Sequence, residues 1–218
     1  MKSLAELIFP SRCIGCSQLG ISICSLCRKS WHPHIYFREL SILGETYPVI
    51  SAVQYSPIAS NVLLSAKESN LSAADNLLIK AISHSLIFFT KKYGAGDLVG
   101  IPSRKSAIRK RGRNFMVEIT DSIAADHAVN SLDILQHTRS ISDQSQLDAE
   151  HRARNLAGAF TASLNSSQLA SCGNTRPLII VDDLITTGAT LAEAIRALRT
   201  AGFVVIGAVT GSVAKPLR

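Results

Sequence analysis

LIIVDDLITTGATL, residues Leu178 to Leu191, runs from four consecutive apolar side chains into two adjacent carboxylates and then into a small, hydroxyl-rich turn. An apolar run without polar alternation suits a strand buried on both faces, as in a parallel sheet covered by helices. Asp182 and Asp183 then fall at the carboxyl end of that strand, where open α/β sheets place their ligand crevice. Thr186, Thr187, Gly188, Ala189 and Thr190 follow where an alanine-rich helix begins, and the N–H groups and positive dipole end of a helix favour an anion there. Acceptors and donors thus share one loop. The combination fits a phosphorylated sugar, with carboxylates accepting from ribose hydroxyls and the Thr/Gly turn wrapping a phosphate. A plain strand ending in a helix cap accounts for either acid, but not for both acids together with the TTGAT turn.

Neither GxxxxGK[ST] nor GxGxxG is present, which excludes the usual nucleoside-triphosphate and dinucleotide loops. The order apolar-four, acid pair, TTGxT closely resembles the phosphoribosyl pyrophosphate (PRPP) motif of type I phosphoribosyltransferases. That resemblance implies that Asp182 and Asp183 bind the ribose diol and that Thr186 to Thr190 bind the 5′-phosphate.

At 218 residues, 46% of them hydrophobic, the chain can bury a substantial core, and one domain with an appendage is the expectation. No apolar run approaches the ~18 residues of a membrane span. Leu4 to Phe9 is short and interrupted by Glu6, unlike a secretory signal, so a cytoplasmic location is expected. The formal charge of +7 is compatible with nucleic acid or with a phosphate-rich small ligand, and does not choose between them.

Cys13, Cys16, Cys24 and Cys27 form two CxxC pairs close enough to share one tetrahedral ion, the ligand set of structural zinc. Paired disulfides are disfavoured without a secretion signal, and a redox CxxC needs no second copy. With four sulfurs no coordination position stays open, so such a metal is structural. His32 and His34 are surplus to that set, and Cys172 has no partner in sequence. Trp31 to Pro48 reads as an irregular connection, which places a division between a cysteine module at 1–49 and a larger unit at 50–218.

In the larger unit, strands are expected at Val49–Gln54, Leu98–Pro102, Leu132–Leu135, Gly158–Ala162 and Phe203–Val209, and helices at Pro57–Lys67, Ala73–Phe89, Asn114–His127 and Thr190–Ala201, the last stopped by Gly202. This alternation predicts a parallel α/β sheet. The strand at 98–102 leads into the densest basic cluster of the chain, Arg104, Lys105, Arg109, Lys110, Arg111 and Arg113. At a strand's carboxyl end it would face the same crevice as the two acids, although a solvated basic face is the common alternative. The long polar stretch after Leu135 is expected to act as a lid carrying Gln144, Arg152 and Asn155.

Paired CxxC, a basic RGxN segment (Arg111, Gly112, Asn114), a lid segment (Gln144, Arg152, Asn155, Phe160) and VDDLITTGATL, in this order, resemble the ComF family. The resemblance covers nearly the whole chain. It implies a zinc-ribbon-like start joined to a phosphoribosyltransferase-type domain, Ile101 to Arg104 with Ser103 as the pyrophosphate loop, Mg²⁺ accompanying PRPP, and a link to natural competence and DNA uptake. Arg113 and Phe115 stand where that family usually has Phe and Gln. Two functions follow: a phosphoribosyltransferase with no acceptor indicated, or a non-catalytic adaptor that contacts single-stranded DNA or DNA-processing partners. Aromatic residues are not interleaved with the basic ones, which argues against a stacking platform for the second.

Overall fold

The run at 178–181 becomes an inner strand of a five-stranded sheet in the computed structural model, which describes residues 11–138, 158–163 and 176–214. In chain order the elements are α1 (Ser25–Ser30), β1 (Tyr36–Ile42), β2 (Glu45–Gln54), α2 (Pro57–Glu68), α3 (Ser72–Tyr93), β3 (Asp97–Gly100), α4 (Lys105–Arg111), α5 (Phe115–His127), β4 (Leu135–His137), β5 (Phe160–Ala162), β6 (Leu178–Ile185), α6 (Ala189–Thr200) and β7 (Val205–Val213). The sheet order is β1-β2-β7-β6-β3. β2, β7, β6 and β3 run parallel, and β1 joins antiparallel to β2. The expected parallel α/β architecture is therefore present.

Both faces of the sheet are covered, which explains the unalternating apolar run. Ile179 and Val181 pack with α2, α3 and α5 through Val62, Leu78, Ile82 and Ile119. Leu178 and Ile180 face the other way, onto Leu191, Ala194, Ile195 and Leu198 of α6. These α6 positions recur at helical spacing and make one apolar stripe. The same helix ends at Thr200 and is capped by Ala201, with Gly202 beyond it at φ +88°, the left-handed stop expected from sequence. Ser56 caps α2 by accepting from Ala59 N–H at 3.1 Å, with Pro57 in the first turn.

Several expectations are corrected. Residues 31–48 are not an irregular connection: they include β1 and the start of β2, paired from Tyr36↔Ser51 to Ile42↔Glu45. β1 alternates half-buried and exposed positions, but Arg38 on the covered side and Phe37 on the exposed side blur that alternation in the sequence. Pro48 sits inside β2, one residue before β2 meets β7 at Val49↔Ala208, so its missing N–H breaks no bond to β7. β2 spans Glu45–Gln54 and so includes residues 49 and 50. The strand expected at 132–135 lies at Leu135–His137, and the basic stretch contains the short helix α4.

The cysteine segment packs against the main core, with Cys13, Ile14, Cys27 and Trp31 in contact with the α2/α3 face. Trp31 Nε1 donates to Leu77 O at 3.4 Å, and Asn61 Nδ2 to Gly15 O at 2.8 Å. On the opposite face, α6 reaches the three-residue strand β5: Glu193 accepts from Phe160 N–H at 3.2 Å and Arg196 donates to Phe160 O at 3.0 Å. No helix among the described residues is long and apolar enough to cross a membrane.

β7 and β2 approach closely at Gly207, where φ is +149° and a Cβ would fall against Pro48 O and 2.7 Å from the Phe89 ring. Gly207→Ala should cost ~1–3 kcal/mol of stability through overpacking. This reads as a lower urea midpoint at unchanged slope; an unchanged midpoint would mean that the contact relaxes freely.

Candidate functional site

The length mismatch between β3 and β6 creates a cleft. β3 stops at Gly100 opposite Val181, and Ile101 N–H still donates to Val181 O at 3.0 Å before the chain turns away. β6 continues against β7 alone, pairing Asp182 with Thr210, Leu184 with Ser212 and Ile185 with Val213. Past Val181 the flank of β6 facing β3 is open. Asp182 and Asp183 are therefore not at the strand's carboxyl end, as expected, but inside it, because the long partner β7 keeps β6 extended. They nevertheless lie beyond the carboxyl end of β3, at the kind of position where ligand crevices form.

A cavity of about 520 Å³ occupies this gap. Asp182 and Asp183 line it from β6, Lys67 and Glu68 from the end of α2, Ile101 to Arg104 from the segment after β3, and Lys110 and Arg111 from α4. The expected site residues Ser103, Arg104 and Arg111 thus share a cleft with both acids.

The acids are 7% and 5% exposed. Asp183 N–H donates to Asp182 Oδ1 at 2.9 Å, and Lys67 Nζ lies 2.6 Å from Asp183 Oδ2. Burial, reinforced by the charge of Asp183, pushes the Asp182 carboxyl well above the ordinary carboxylate range. For Lys67, burial favours the neutral amine, but the charge and hydrogen bond of Asp183 outweigh it and raise the ammonium pKa. Next door, Arg111 contacts Glu68 Oε1 at 2.7 Å and Lys110 contacts Oε2 at 3.3 Å. The Arg111 hydrogen bond holds the Glu68 carboxyl below its usual value, with Lys110 adding to the effect.

The basic cluster divides. Arg104, Lys110 and Arg111 line the cleft, while Lys105 and Arg109 are exposed and lie outside its lining. Arg113 is engaged elsewhere, 2.7 Å from Asp75 and 2.8 Å from Glu118, with its guanidinium 5.3 Å from the Phe115 ring centre. Arg113 thus ties α5 to α3. Asn114 occupies the N-cap position of α5, but its side chain makes no cap bond, its Oδ1 is buried without a hydrogen-bond partner, and it lies outside the cleft lining.

The turn after β6 presents Thr186 and Thr187 to solvent. Gly188 caps α6 with φ +88° and is buried against Leu40, whose Cδ1 would lie 3.3 Å from an added Cβ. Thr187 Oγ1 accepts from Ala189 N–H at 3.3 Å, and Arg38 of β1 donates to Thr186 O at 2.7 Å and to Ala214 O. Ala189 and Thr190 are half-buried in the first turn of α6. None of these five lines the 520 Å³ cavity, whose wall ends at the acids. Gln144, Arg152, Asn155 and the lid they would form lie outside the described residues, as does Cys172.

Sequence reasoning missed Lys67 and Glu68. α2 starts beside the end of β2, where Tyr55 N–H donates to Val213 O at 2.8 Å, and finishes with Lys67 on β6, two strands across. The helix lies across the strand ends, and no local sequence signal specifies that direction.

A second cluster comprises Cys13, Cys16, Cys24 and Cys27, whose sulfurs all lie within 4.8 Å of one another. Cys16 Sγ and Cys24 Sγ are 3.7 Å apart, close to the ~3.8 Å edge of a tetrahedron with ~2.3 Å metal–sulfur bonds. Cys24 N–H donates to Cys13 Sγ at 3.3 Å and Cys27 N–H to Cys24 Sγ at 3.5 Å. Burial opposes ionisation of Cys13, but N–H groups of Cys24, Cys16 and Gly15 outweigh it and bring the thiol down to about 6. Burial and the neighbouring sulfurs push Cys27 the other way. The cluster could hold a metal ion.

No family model and no curated protein matches the chain. Among solved structures it is similar to an adenine phosphoribosyltransferase, at 14% identity over 87% of this chain and 89% of that one, with a TM-score of 0.44. It is also similar to the Saccharomyces cerevisiae adenine phosphoribosyltransferase complexed with D-2,5-dideoxy-2,5-imino-altritol 1,6-bisphosphate and adenine. Identity there is 14% over 81% of this chain and 83% of that one, with a TM-score of 0.39.

Because the folded state raises the Asp182 pKa, it binds more protons than the unfolded chain above the unfolded value of ~3.9, so this residue lowers stability as pH rises from there through its folded pKa. Asp182→Asn should flatten that slope and stabilise the protein at neutral pH. Urea unfolding across ~pH 4–7 checks it; identical slopes in both proteins would contradict the burial effect.

Proposed function

We propose that the cleft binds PRPP or a ribose 5-phosphate ligand, as in a ComF-like member of the phosphoribosyltransferases. The observation that carries this reading is the meeting of the acid pair and the Ser103, Arg104, Lys110 and Arg111 face in one cavity beyond β3. Asp182 and Asp183 hold the ribose diol, Thr186 to Thr190 take the 5′-phosphate through backbone N–H groups and hydroxyls, and the basic face receives the pyrophosphate. In a transfer reaction an acceptor attacks the anomeric carbon as the bond to pyrophosphate breaks. The chain's contribution is to fix the pentose and to stabilise the charge growing on the leaving group. Gln144 and Arg152 belong to this proposal as lid residues. The link to competence and DNA uptake comes from the resemblance alone.

Magnesium fits this donor set only as an ion carried by the ligand's phosphates. Asp183 is engaged by Lys67 and Glu68 by Arg111 and Lys110. Among the described residues the cysteines are the one group of three or more metal-type donors, and magnesium is typically held through few carboxylates plus substrate phosphate. At the cysteines we propose structural zinc, which their all-sulfur set and spacing favour. The division into a cysteine module and a larger unit is retained as part of this proposal.

A second reading, an adaptor for single-stranded DNA, is favoured by Lys105 and Arg109, which are exposed and outside the cleft. Pyrophosphate release from PRPP with a panel of bases separates the two, since turnover supports the enzyme. DNA binding that weakens steeply with salt, without turnover, supports the adaptor.

If each acid contributes a charge-assisted hydrogen bond of ~1.5–3 kcal/mol, Asp182→Asn/Asp183→Asn should weaken PRPP binding by roughly a hundredfold or more. Unchanged affinity by calorimetry would reject these roles. The purified chain should carry about one zinc, and Cys27→Ser should release it. Since metal supplies an apparent ~10–16 kcal/mol to zinc-finger peptides, the module should open, and emission from Trp31, the sole tryptophan and 3% exposed, should shift to the red. Metal loss with unshifted emission would show that the module packs without the ion.

A further inference from the structure

We propose that Lys67 is a ligand-binding residue and the resident cation of the acid pair, so that the pentose is held here by Lys67 and the two aspartates without a divalent ion on those carboxylates. This rests on the sugar-phosphate reading of the cleft. Lys67 Nζ sits 2.6 Å from Asp183 Oδ2, and the lysine side chain is 30% exposed while the aspartate is 8%. Lys67 lines the cleft from the end of α2. A hydroxyl accepted by Asp183 must approach the same carboxylate, which puts its oxygen within reach of an ammonium that has three donors and needs one for the ion pair.

A metal at this position would meet opposition. Asp183 Oδ2 is closed to solvent, and an ion on the other carboxylate oxygen at ~2.1 Å would still lie within ~7 Å of Nζ and be repelled by it. No third acid is available to offset this: Glu68 is bound by Arg111 at 2.7 Å and by Lys110 at 3.3 Å, and no group of three carboxylates exists among the described residues. Lysine is well suited to the substitution, being a compact point charge on a flexible stem.

The test is calorimetry with ribose 5-phosphate, which lacks the pyrophosphate and its metal, in EDTA and in Mg²⁺. The wild-type affinity should agree within about twofold between the two buffers. The variant Lys67→Met/Asp183→Asn removes both members of the ion pair, so neither is left buried without the other, and its melting temperature checks that it is folded. It should bind at least tenfold more weakly than Asp183→Asn alone. Equal affinities of the single and double variants would reduce Lys67 to a structural counter-ion and overturn the proposal while leaving the sugar-phosphate reading intact. Wild-type binding that vanishes in EDTA would overturn it too. Absence of wild-type binding in either buffer would remove the sugar-phosphate reading, and this inference with it.

Discussion

The organisation of this protein follows from one unequal pairing. β3 ends at Gly100, whereas β6 is held extended by β7 as far as Ile185. A strand with a neighbour on only one side exposes backbone and side chains on the other, and here the exposed stretch carries two adjacent acids. If β3 were as long as β7, those carboxylates would be enclosed between strands. The gap instead gathers a lysine from α2, a basic face from α4 and the segment after β3 around a carboxylate pair. Burial then makes the charges interdependent: Asp183 is matched by Lys67, and Asp182, which has no ion pair among the described residues, holds its proton more tightly.

How much of this was readable beforehand depends on whether the information was local. The apolar run at 178–181 announced a strand covered on both faces because its alternate residues enter two different cores. Gly202 marked the end of α6 because a left-handed residue is needed there. The acids and the basic segment could be placed near each other from strand order alone. Where β6 stops was not legible, because the partner strand sets it. β1 was not legible either: one covered face, Arg38 and Glu39 in its centre and Pro48 opposite Glu39 disguise a strand as a connection. Lys67 was hidden for a third reason. Its relevance depends on the direction α2 takes across the sheet, a property of packing that no short motif carries.

The cysteine segment and the cleft are joined by that same helix. Gly15 has no room for a side chain, since a Cβ would lie 2.7 Å from Cys27 Sγ and 3.1 Å from Ile58. Asn61, one turn further along α2, fixes the Gly15 carbonyl. The knuckle is thereby seated on the first half of α2, while the last turn delivers Lys67 and Glu68 to the acids. The cysteine segment and the cleft thus sit at opposite ends of one helix.

The pair Glu193 and Arg196 has an implication for behaviour in concentrated solution. β5 is three residues long and forms, with β4, a sheet of two strands. Ribbons this small tend to leave main-chain groups unsatisfied, and such groups can recruit an extended segment from another molecule. By engaging both the N–H and the carbonyl of Phe160, one carboxylate and one guanidinium act as a surrogate strand, blunting a potential seed for self-association with side chains alone.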